Sequence, residues 1–264
     1  MALNHTHQAY PNYVLEKEIE DQYNSHLDLM RFCTLDNSLV GVAGDKKKIR
    51  VYRATDATEK LAMGEGNTKN IEVQYEENER TILMAQNRFP YYDEEIMRDP
   101  MVVDTGVRHM TTDMFNHTQA DIFAEFNKAT QVVNASAFDF GAFVDAVALL
   151  PGENQEEREV FAFVHPNDKA AIRKAMKDDL KYVEAYVRSG YIGTVAGVNL
   201  YVKQDAVEGT ICGGTKKAVT YFNKKGVEVE QERDANVRLN KIYSRKYYLV
   251  ALTDENECFK IVKG

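Results

Sequence analysis

The sequence predicts an α+β fold in which two extended, charged segments precede a long helix and a compact α/β region. Three observations lead to this prediction. Residues 46–90 contain two alternating stretches on either side of a polar stretch, as the strands of a hairpin do. Residues 99–131 keep a helical spacing of apolar side chains over an unusual length. From residue 136 onward, short apolar strands alternate with helical patterns, which is typical of mixed α/β domains.

The composition is that of a soluble globular chain. The 264 residues include 41 acidic and 33 basic side chains, which give a net charge of −8, and 44% of the residues are apolar. No window is apolar over the roughly 18 residues that a membrane span requires, and residues 1–13 lack a secretory signal pattern. The three cysteines provide no disulfide framework. We therefore expect a cytoplasmic protein without membrane contact, whose acidic charge argues against dedicated binding of duplex DNA.

Residues 1–45 form the first charged segment. Residues 1–13 are polar and aromatic without a period, and charged residues surround the few apolar side chains that follow. Those apolar residues, at near-helical spacing, are Val14, Leu15, Ile19, Tyr23 and Leu27. Such a segment has too few apolar side chains to bury itself. We predict an N-terminal arm that a neighbouring chain holds in place.

Residues 46–90 form the second charged segment, a predicted β-hairpin that projects from the body. Residues 48–53 and 71–76 alternate as strands do, and a polar tip with Gly64 and Gly66 separates them. A connection of more than about 15 residues is unusual in a compact domain and is often functional. Lysines predominate on one strand and glutamates on the other, which would suit pairing between copies of the chain.

A single long helix is predicted from Asp99 to about Gln131. Asp99 is a favourable N-cap, and the proline that follows suits the first helical position. The apolar stripe consists of Val103, Val107, Met110, Met114, Phe115, Ile122 and Phe126. At about 1.5 Å per residue the helix would span about 45 Å, with Gly106 as its weak point.

The rest of the chain predicts a compact α/β arrangement in which glycines, prolines and capping residues mark the boundaries. The predicted elements are a helix capped by Asp139, a strand over 160–164, a helix from Pro166, a strand over 198–202, a hairpin turning at Asn223–Gly226, and a closing hairpin of 247–252 with 258–262.

Three patterns in the sequence are similar to chemical sites. The stretch from Gly209 to Lys216 nearly matches a phosphate-binding loop, but its lysine and hydroxyl residues are in the reverse order and no helix follows. A glycine-rich turn before a strand is the preferred interpretation. Cys212 with His165 would make a nucleophile and its base, yet no local signature links them, which favours a small buried thiol.

The third pattern is a metal-like spacing on the long helix. His109, Asp113 and His117 are four residues apart and would share one face, but no fourth ligand is visible. A solvated polar stripe is the preferred interpretation. The sequence therefore predicts no catalytic residue, no cofactor site and no metal site.

The order of elements resembles the major capsid proteins of tailed bacteriophages, which have the Hong Kong 97-type fold. Four passages carry the resemblance: residues 161–166, residues 188–202 with their spaced glycines, residues 218–233, and the final residues 247–262. The resemblance covers about residues 14–264 as a pattern of elements and contains no single diagnostic motif.

The resemblance implies a division of the chain into named parts. These are an N-terminal arm (1–45), an extended loop (46–90), a peripheral domain with the spine helix (91–135 and 221–264) and an axial domain (136–220). The chain leaves no room for the family's long charged scaffolding segment, so a separate scaffold, or none, is expected. Some relatives cross-link a lysine to an asparagine, but Lys60 and Lys69 in the loop tip have no assigned partner and are interpreted as unlinked.

The function implied by this resemblance is structural rather than enzymatic. The chain would self-assemble into hexameric and pentameric capsomers of an icosahedral phage head that encloses double-stranded DNA without sequence-specific contacts. Portal and scaffolding proteins are expected partners, decoration proteins are allowed, and assembly would take place in the bacterial host cytoplasm. One alternative is an encapsulin-like compartment shell that holds cargo enzymes. A more distant alternative is a cytosolic α/β enzyme using Cys212 and His165.

Overall fold

A computed structural model describes residues 27–55, 57–151, 158–176 and 193–264. The helices are α1 (Asp93–Arg98), α2 (Met101–Phe126), α3 (Phe140–Ala148) and α4 (Pro166–Ala175). The strands are β1 (Thr34–Asp36), β2 (Lys46–Ala54), β3 (Val73–Thr81), β4 (Leu83–Tyr92), β5 (Gln131–Ala135), β6 (Val160–Val164), β7 (Thr194–Val195), β8 (Val198–Val202), β9 (Thr210–Gly214), β10 (Val219–Asp234), β11 (Leu239–Leu252) and β12 (Cys258–Lys263). The predictions for residues 1–26 lie outside the described residues.

A four-stranded sheet has the order β1-β10-β11-β4. β1 runs parallel to β10, and the other two pairs are antiparallel. β10 and β11 form a long ribbon that pairs from Val219 and Leu252 to Asp234 and Leu239. Because β4 belongs to this sheet, the projecting hairpin ends at Thr81 and does not extend to residue 90 as predicted.

The predicted turn at Asn223–Gly226 is wrong. These residues lie inside β10, where the pairing with β11 shifts register on either side of Lys225, as a β-bulge does. The chain turns instead after Asp234, whose carboxylate accepts a hydrogen bond from the backbone N–H of Asn236 at 3.0 Å. Arg238 then takes a left-handed conformation with φ of 55°.

A six-stranded mixed sheet has the order β5-β12-β9-β6-β8-β7. The predicted closing hairpin is wrong, because β12 pairs with β5 and β9 while β11 remains in the other sheet. Residues 131–135 and 258–263, assigned to the peripheral part from sequence, are therefore strands of this second sheet. The predicted strands over 160–164 and 198–202 are confirmed as the parallel pair β6 and β8.

The long helix α2 comprises 26 residues and spans about 39 Å at about 1.5 Å per residue. The helix begins at Met101 with Pro100 at its N-cap position, so the predicted N-cap at Asp99 is one residue too early. The Asp99 carboxylate accepts a hydrogen bond from the Met101 N–H at 2.9 Å. The helix ends at Phe126 rather than near Gln131, because Gln131 already pairs with β12. Of the predicted stripe, Val107 is not in the core and is 41% exposed.

An aromatic cluster joins α2 to the six-stranded sheet. It consists of Phe32, Phe123, Phe126, Phe161 and Phe163, whose contacting rings have centroids 4.6–6.0 Å apart. All five side chains are buried. Because the rings come from β6, α2 and the segment before β1, this cluster holds three parts of the chain in one core.

Residues 27–36, which belong to the predicted N-terminal arm, pack into this core. The prediction that the arm cannot bury its own apolar side chains is therefore wrong for these residues. Leu29, Phe32 and Cys33 are buried. The Leu29 N–H donates to Gln119 Oε1 at 2.6 Å, and β1 adds a parallel strand to β10. These few apolar residues are enough to hold this part of the chain in place, because they complete a core that α2 and both sheets already form.

A second core lies between α3, α4 and the six-stranded sheet. As predicted, the Asp139 carboxylate caps α3 and accepts a hydrogen bond from the Ala142 N–H at 2.9 Å. Ala142, Phe143 and Ala146 form the buried face of α3, whereas Phe140 is 54% exposed. The α+β class predicted from the sequence is therefore confirmed.

Gly106 provides the first testable prediction, since α2 lies very close to the ring of Phe89 at this residue. A Cβ at this position would lie 2.6 Å from Phe89 Cε1 and closer still to two other ring carbons. We expect Gly106→Ala to lower the free energy of unfolding by about 1–3 kcal/mol through overpacking. Urea unfolding of the unassembled protein measures this change.

Gly141→Ala is the matched control for this prediction. Its Cβ would meet only Asp139 Oδ1 at an ordinary 3.5 Å. Alanine at this helical position should therefore be neutral or stabilise by up to about 1 kcal/mol. If both alanine variants stabilise the protein, the proposed close packing of Phe89 on α2 is contradicted.

Candidate assembly surfaces

The projecting hairpin consists of β2 and β3, paired in antiparallel register from Lys46 and Thr81 to Ala54 and Val73. Its opposite charges form ion pairs within the hairpin. Lys46 Nζ lies 2.5 Å from a Glu79 carboxylate oxygen, and Lys48 Nζ lies 2.8 Å from Glu77. The hydrogen bond from its lysine is the largest cause of the lowered pKa of each glutamate.

Apolar side chains are exposed along β3. Val73 and Tyr75 lie on one face, two residues apart, and are 60% and 62% exposed. Ile71 and Met63, in the segment that joins the two strands, are also exposed. A two-stranded hairpin is only marginally stable by itself. This combination of an ordered ribbon and exposed apolar residues is typical of an interaction surface.

The base of the hairpin is anchored to the body. The Ile82 N–H donates to the Asp45 carbonyl oxygen at 2.7 Å and closes the base. Ile49 and Ile82 pack against a buried cluster that consists of Leu39, Phe222, Leu249 and Ala251. The hairpin therefore projects from a fixed point on the four-stranded sheet.

Hydrogen bonds give the tip a defined shape. Glu59 accepts two hydrogen bonds from Thr68, at 2.8 Å from its N–H and 2.7 Å from its hydroxyl. These bonds lower the pKa of the Glu59 carboxyl. Because the folded pKa lies below the unfolded value, their stabilising contribution is present near neutral pH and is lost as pH falls through the folded pKa.

The far end of the β10–β11 ribbon is tied to α1. The Asp93 carboxylate accepts hydrogen bonds from Arg233 at 2.9 Å and from Asn240 at 2.7 Å. Both hydrogen bonds hold the pKa of Asp93 below its usual value, and the bond from Arg233 has the larger effect. Glu94 pairs with Arg238 at 2.6 Å. Sequence reasoning missed this ribbon because it placed the turn at residues 223–226.

The stretch that resembled a phosphate-binding loop is a buried strand. Residues 210–214 form β9, in the interior of the six-stranded sheet. A Cβ on Gly213 would lie 2.9 Å from Ala162 Cα, so the glycine permits close contact between β9 and β6. The expected glycine-rich turn before a strand is therefore wrong, because residues 210–214 are themselves the strand.

Cys212 and His165 occupy separate structural positions. Cys212 is 1% exposed, and burial raises the pKa of its thiol well above the ordinary value. His165 caps α4, where its Nδ1 accepts a hydrogen bond from the Asn167 N–H at 3.2 Å. A buried thiol with a raised pKa is a poor nucleophile, so Cys212 is the small buried residue that the sequence predicted.

The polar positions on α2 make contacts of their own. Asn87 donates to Asp113 Oδ2 at 3.3 Å, and His117 Nε2 lies 3.9 Å from Asp121 Oδ2. Among the described residues, no three His, Cys, Asp or Glu side chains are grouped so that they could hold a metal ion. In the same part of the chain, no helix is long and apolar enough to cross a membrane.

With its projecting hairpin, its long helix and its two sheets, the chain has the capsid fold of the Hong Kong 97 type. The mature capsid of bacteriophage PhiM1 superposes with a TM-score of 0.75 at 10% identity, covering 95% of this chain and 91% of that one. The holo-SrpI encapsulin of Synechococcus elongatus PCC 7942 gives a TM-score of 0.64 at 13% identity, covering 89% and 86%.

A protein with a similar sequence is also a phage capsid protein. The major capsid protein of Staphylococcus phage phiMR11 is 23% identical over 261 residues, which cover 95% of this chain and 92% of that protein. No protein-family model matches the sequence. The resemblance to phage major capsid proteins is thus confirmed, and the proteins similar to this chain are structural shell proteins rather than enzymes.

Proposed function

We propose that this protein is the major capsid protein of a tailed bacteriophage and assembles into hexameric and pentameric capsomers of an icosahedral head. The observation that carries this proposal is the β2–β3 hairpin, whose strand β3 exposes Val73 and Tyr75 although ion pairs and tip hydrogen bonds fix its shape. Similarity to a phage major capsid protein over 95% of the chain supports the proposal.

In this proposal, neighbouring copies cover the hairpin. Burial of apolar surface contributes about 25 cal/mol per Å², so contact with a second copy would remove Val73 and Tyr75 from water at a favourable free energy. The anchored hairpin base and the 26-residue α2 would be rigid elements that fix the angle between neighbouring copies. Assembly therefore depends on shape and apolar contact rather than on a chemical step.

The charge of the chain suits a container for DNA. Because each chain has a net charge of −8, the shell would enclose double-stranded DNA without binding its phosphates tightly or recognising its sequence. A portal and a scaffolding protein would be partners of the assembling shell, and decoration proteins could bind its outside. Assembly would take place in the host cytoplasm, and the product would be the virion capsid.

We also propose a division of the chain into parts that follows the sheets. The N-terminal arm (1–45) and extended loop (46–81) precede a peripheral domain built on α2 and the four-stranded sheet. The axial domain contains the six-stranded sheet, including residues 131–135 and 258–263. Proteolysis of assembled shells, with cleavage sites mapped by mass spectrometry, tests these boundaries.

Charged substitutions on the hairpin test the proposed function. We expect Val73→Asp and Tyr75→Asp each to lower the yield of sedimenting shells at least about tenfold, which corresponds to about 1.4 kcal/mol per contact. The reason is that a carboxylate in an apolar contact lacks a partner. The measurement is the fraction of chain in the shell peak of a sucrose gradient after co-expression with the scaffold.

Gln74→Asp provides the matched control, since it adds the same charge to the same strand on the opposite face. It should assemble like the unmodified chain. Unfolding free energies within about 0.5 kcal/mol of the unmodified protein would show that the variants fold. Normal shell yields from both Val73→Asp and Tyr75→Asp would contradict the proposed role of the hairpin.

An encapsulin-like compartment is the second candidate, because the chain also superposes on the encapsulin of Synechococcus elongatus PCC 7942. The contents of purified shells separate the two functions. A phage head contains scaffold or DNA, whereas a compartment co-purifies with a protein cargo.

A further inference from the structure

An apolar groove of about 230 Å³ lies between α2 and the β10–β11 ribbon. Met110 and Met114 from the helix and Ile242 from the ribbon form part of its lining. Along α2 the groove reaches from Val107 to Gln119, which is about 18 Å at about 1.5 Å per residue. Since an apolar cavity of about 150 Å³ holds a benzene molecule, this groove has room for an unbranched chain of about ten carbons.

One end of the groove is apolar. Ile242 packs there against the buried cluster that contains Met110. Thr111 also lines this end, but its hydroxyl donates to the Val107 carbonyl oxygen at 3.0 Å and is thus satisfied within α2. The outer wall is open to solvent, since Val229 is 64% exposed. This end therefore suits the chain of an apolar ligand that enters from solvent.

The other end of the groove contains two hydrogen-bond donors, from Gln119 and Lys246. Gln119 is 0% exposed, and its side-chain nitrogen has no hydrogen-bond partner among the described residues. Lys246 stands two residues before Tyr248 on β11, and the Tyr248 hydroxyl donates to Asp121 of α2 at 2.5 Å. This contact places Lys246 beside the part of α2 that contains Gln119.

Aromatic rings, rather than a carboxylate, surround the ammonium group of Lys246. Its Nζ lies 5.2 Å from the ring centre of Tyr221 and 5.5 Å from that of Tyr248. Burial lowers the pKa of Lys246, and none of the described residues that line the groove is acidic. A carboxylate head on a ligand would pair with this charge and accept a hydrogen bond from Gln119. A neutral or cationic head would leave the buried donors poorly compensated.

We propose that this groove binds a small amphiphile, an unbranched carboxylate of about ten carbons. Its head would lie at Gln119 and Lys246, and its chain would extend toward Met110. Carboxylates of the projecting hairpin are less suitable occupants, because Glu77 and Glu79 already pair with lysines of that hairpin. This binding site goes beyond the proposed function and does not depend on it.

Titration of the unassembled full-length chain with decanoate, kept below its micelle-forming concentration, tests the proposal. The observed signals are those of ¹³C-labelled methionine methyl groups in NMR spectra. Met30, Met110 and Met114 line the groove, whereas Met63 and Met97 are exposed elsewhere and report unspecific binding. We expect saturable shifts at the groove methionines only. 1-Decanol, which has the same chain without the charge, should bind at least about tenfold more weakly.

Substitutions of Lys246 test the role of the charge. Lys246→Met keeps an unbranched apolar side chain and removes the ammonium group, so decanoate should bind at least about tenfold more weakly while 1-decanol binds as before. Lys246→Arg should preserve decanoate binding. Lys217→Met, at an exposed lysine outside the groove, is the matched control and should change neither affinity. The methionine spectrum of each variant without ligand shows whether it folds.

Three results would overturn the proposal. Equal affinities for decanoate and 1-decanol, or equal shifts at Met63 and Met97, would mean that apolar surface alone explains the binding. A lack of saturable shifts would mean that the groove does not bind the carboxylate. Groove signals that move with chain concentration instead of with decanoate would assign the groove to a second copy of the chain. Shell formation is measured separately, so a failure of this proposal is distinguishable from a failure of the proposed function.

Discussion

Replacing Phe163 by alanine is expected to lower the free energy of unfolding by about 3–5 kcal/mol. The ring is fully buried. It lies 5.3–6.0 Å from the rings of Phe32, Phe123, Phe126 and Phe161, measured between centroids. Its removal would leave a cavity where the arm, α2 and β6 meet, and a cavity at this joint should also reduce shell yield. Urea unfolding of the unassembled chain measures the stability change.

Phe140→Ala is the control for this prediction, because it removes the same ring from an exposed position on α3. Its expected effect is below about 1 kcal/mol, as is usual for surface positions. Equal losses of stability in the two variants would contradict the assignment of the aromatic cluster as the central core. The difference between the two losses of stability, rather than either value alone, shows whether the aromatic cluster is the central core.

Replacing Glu257 by alanine is the second large expected effect. The carboxylate is buried, pairs with Arg158 at 2.7 Å and accepts a hydrogen bond from the Thr215 hydroxyl at 2.7 Å. Removing the buried carboxylate leaves the partly exposed Arg158 and the Thr215 hydroxyl without their acceptor, which costs about 1–3 kcal/mol. Thermal or urea unfolding of the unassembled chain measures the change.

The exposed pair of Glu94 and Arg238 is the matched comparison. Glu94→Ala should lower stability by less than about 1 kcal/mol, because exposed ion pairs contribute little. A loss from Glu257→Ala no greater than that from Glu94→Ala would mean that the contacts of Glu257 do not hold the start of β12 in place.

Features that depend on neighbouring residues in the chain were predicted well from the sequence. The Asp139 cap and the apolar strand at 160–164 are confirmed. Both are encoded locally, by a capping carboxylate or by a continuous run of β-branched and aromatic residues.

Features that depend on distant parts of the chain were not predictable in the same way. Asn223–Gly226 has the residues of a turn, yet pairing with β11 keeps it within a strand as a bulge. Glu257 pairs with Arg158 and Thr215, and the chain then enters the other sheet, so β11 and β12 do not form a hairpin. Neither partner of Glu257 is visible from the local sequence.

The candidate surfaces were predicted in part. Alternation identified the projecting hairpin, but the pairing of its lysines and glutamates within the hairpin depends on the register of β2 and β3. The part of the β10–β11 ribbon past residue 226 could not be predicted, since residues 223–226 have the composition of a turn. Sequence alone also could not show that Phe32 completes the central core.

The molar mass of the chain, expressed alone and with candidate scaffolding proteins, tests the central claim most directly when it is measured by light scattering and followed by electron microscopy. That claim is that copies of this chain form a closed shell through their projecting hairpins. The expected result is megadalton closed particles in which β2 and β3 lie against a neighbouring copy. A species of 30.1 kDa under every condition, or particles in which the hairpins contact no other copy, would contradict the claim.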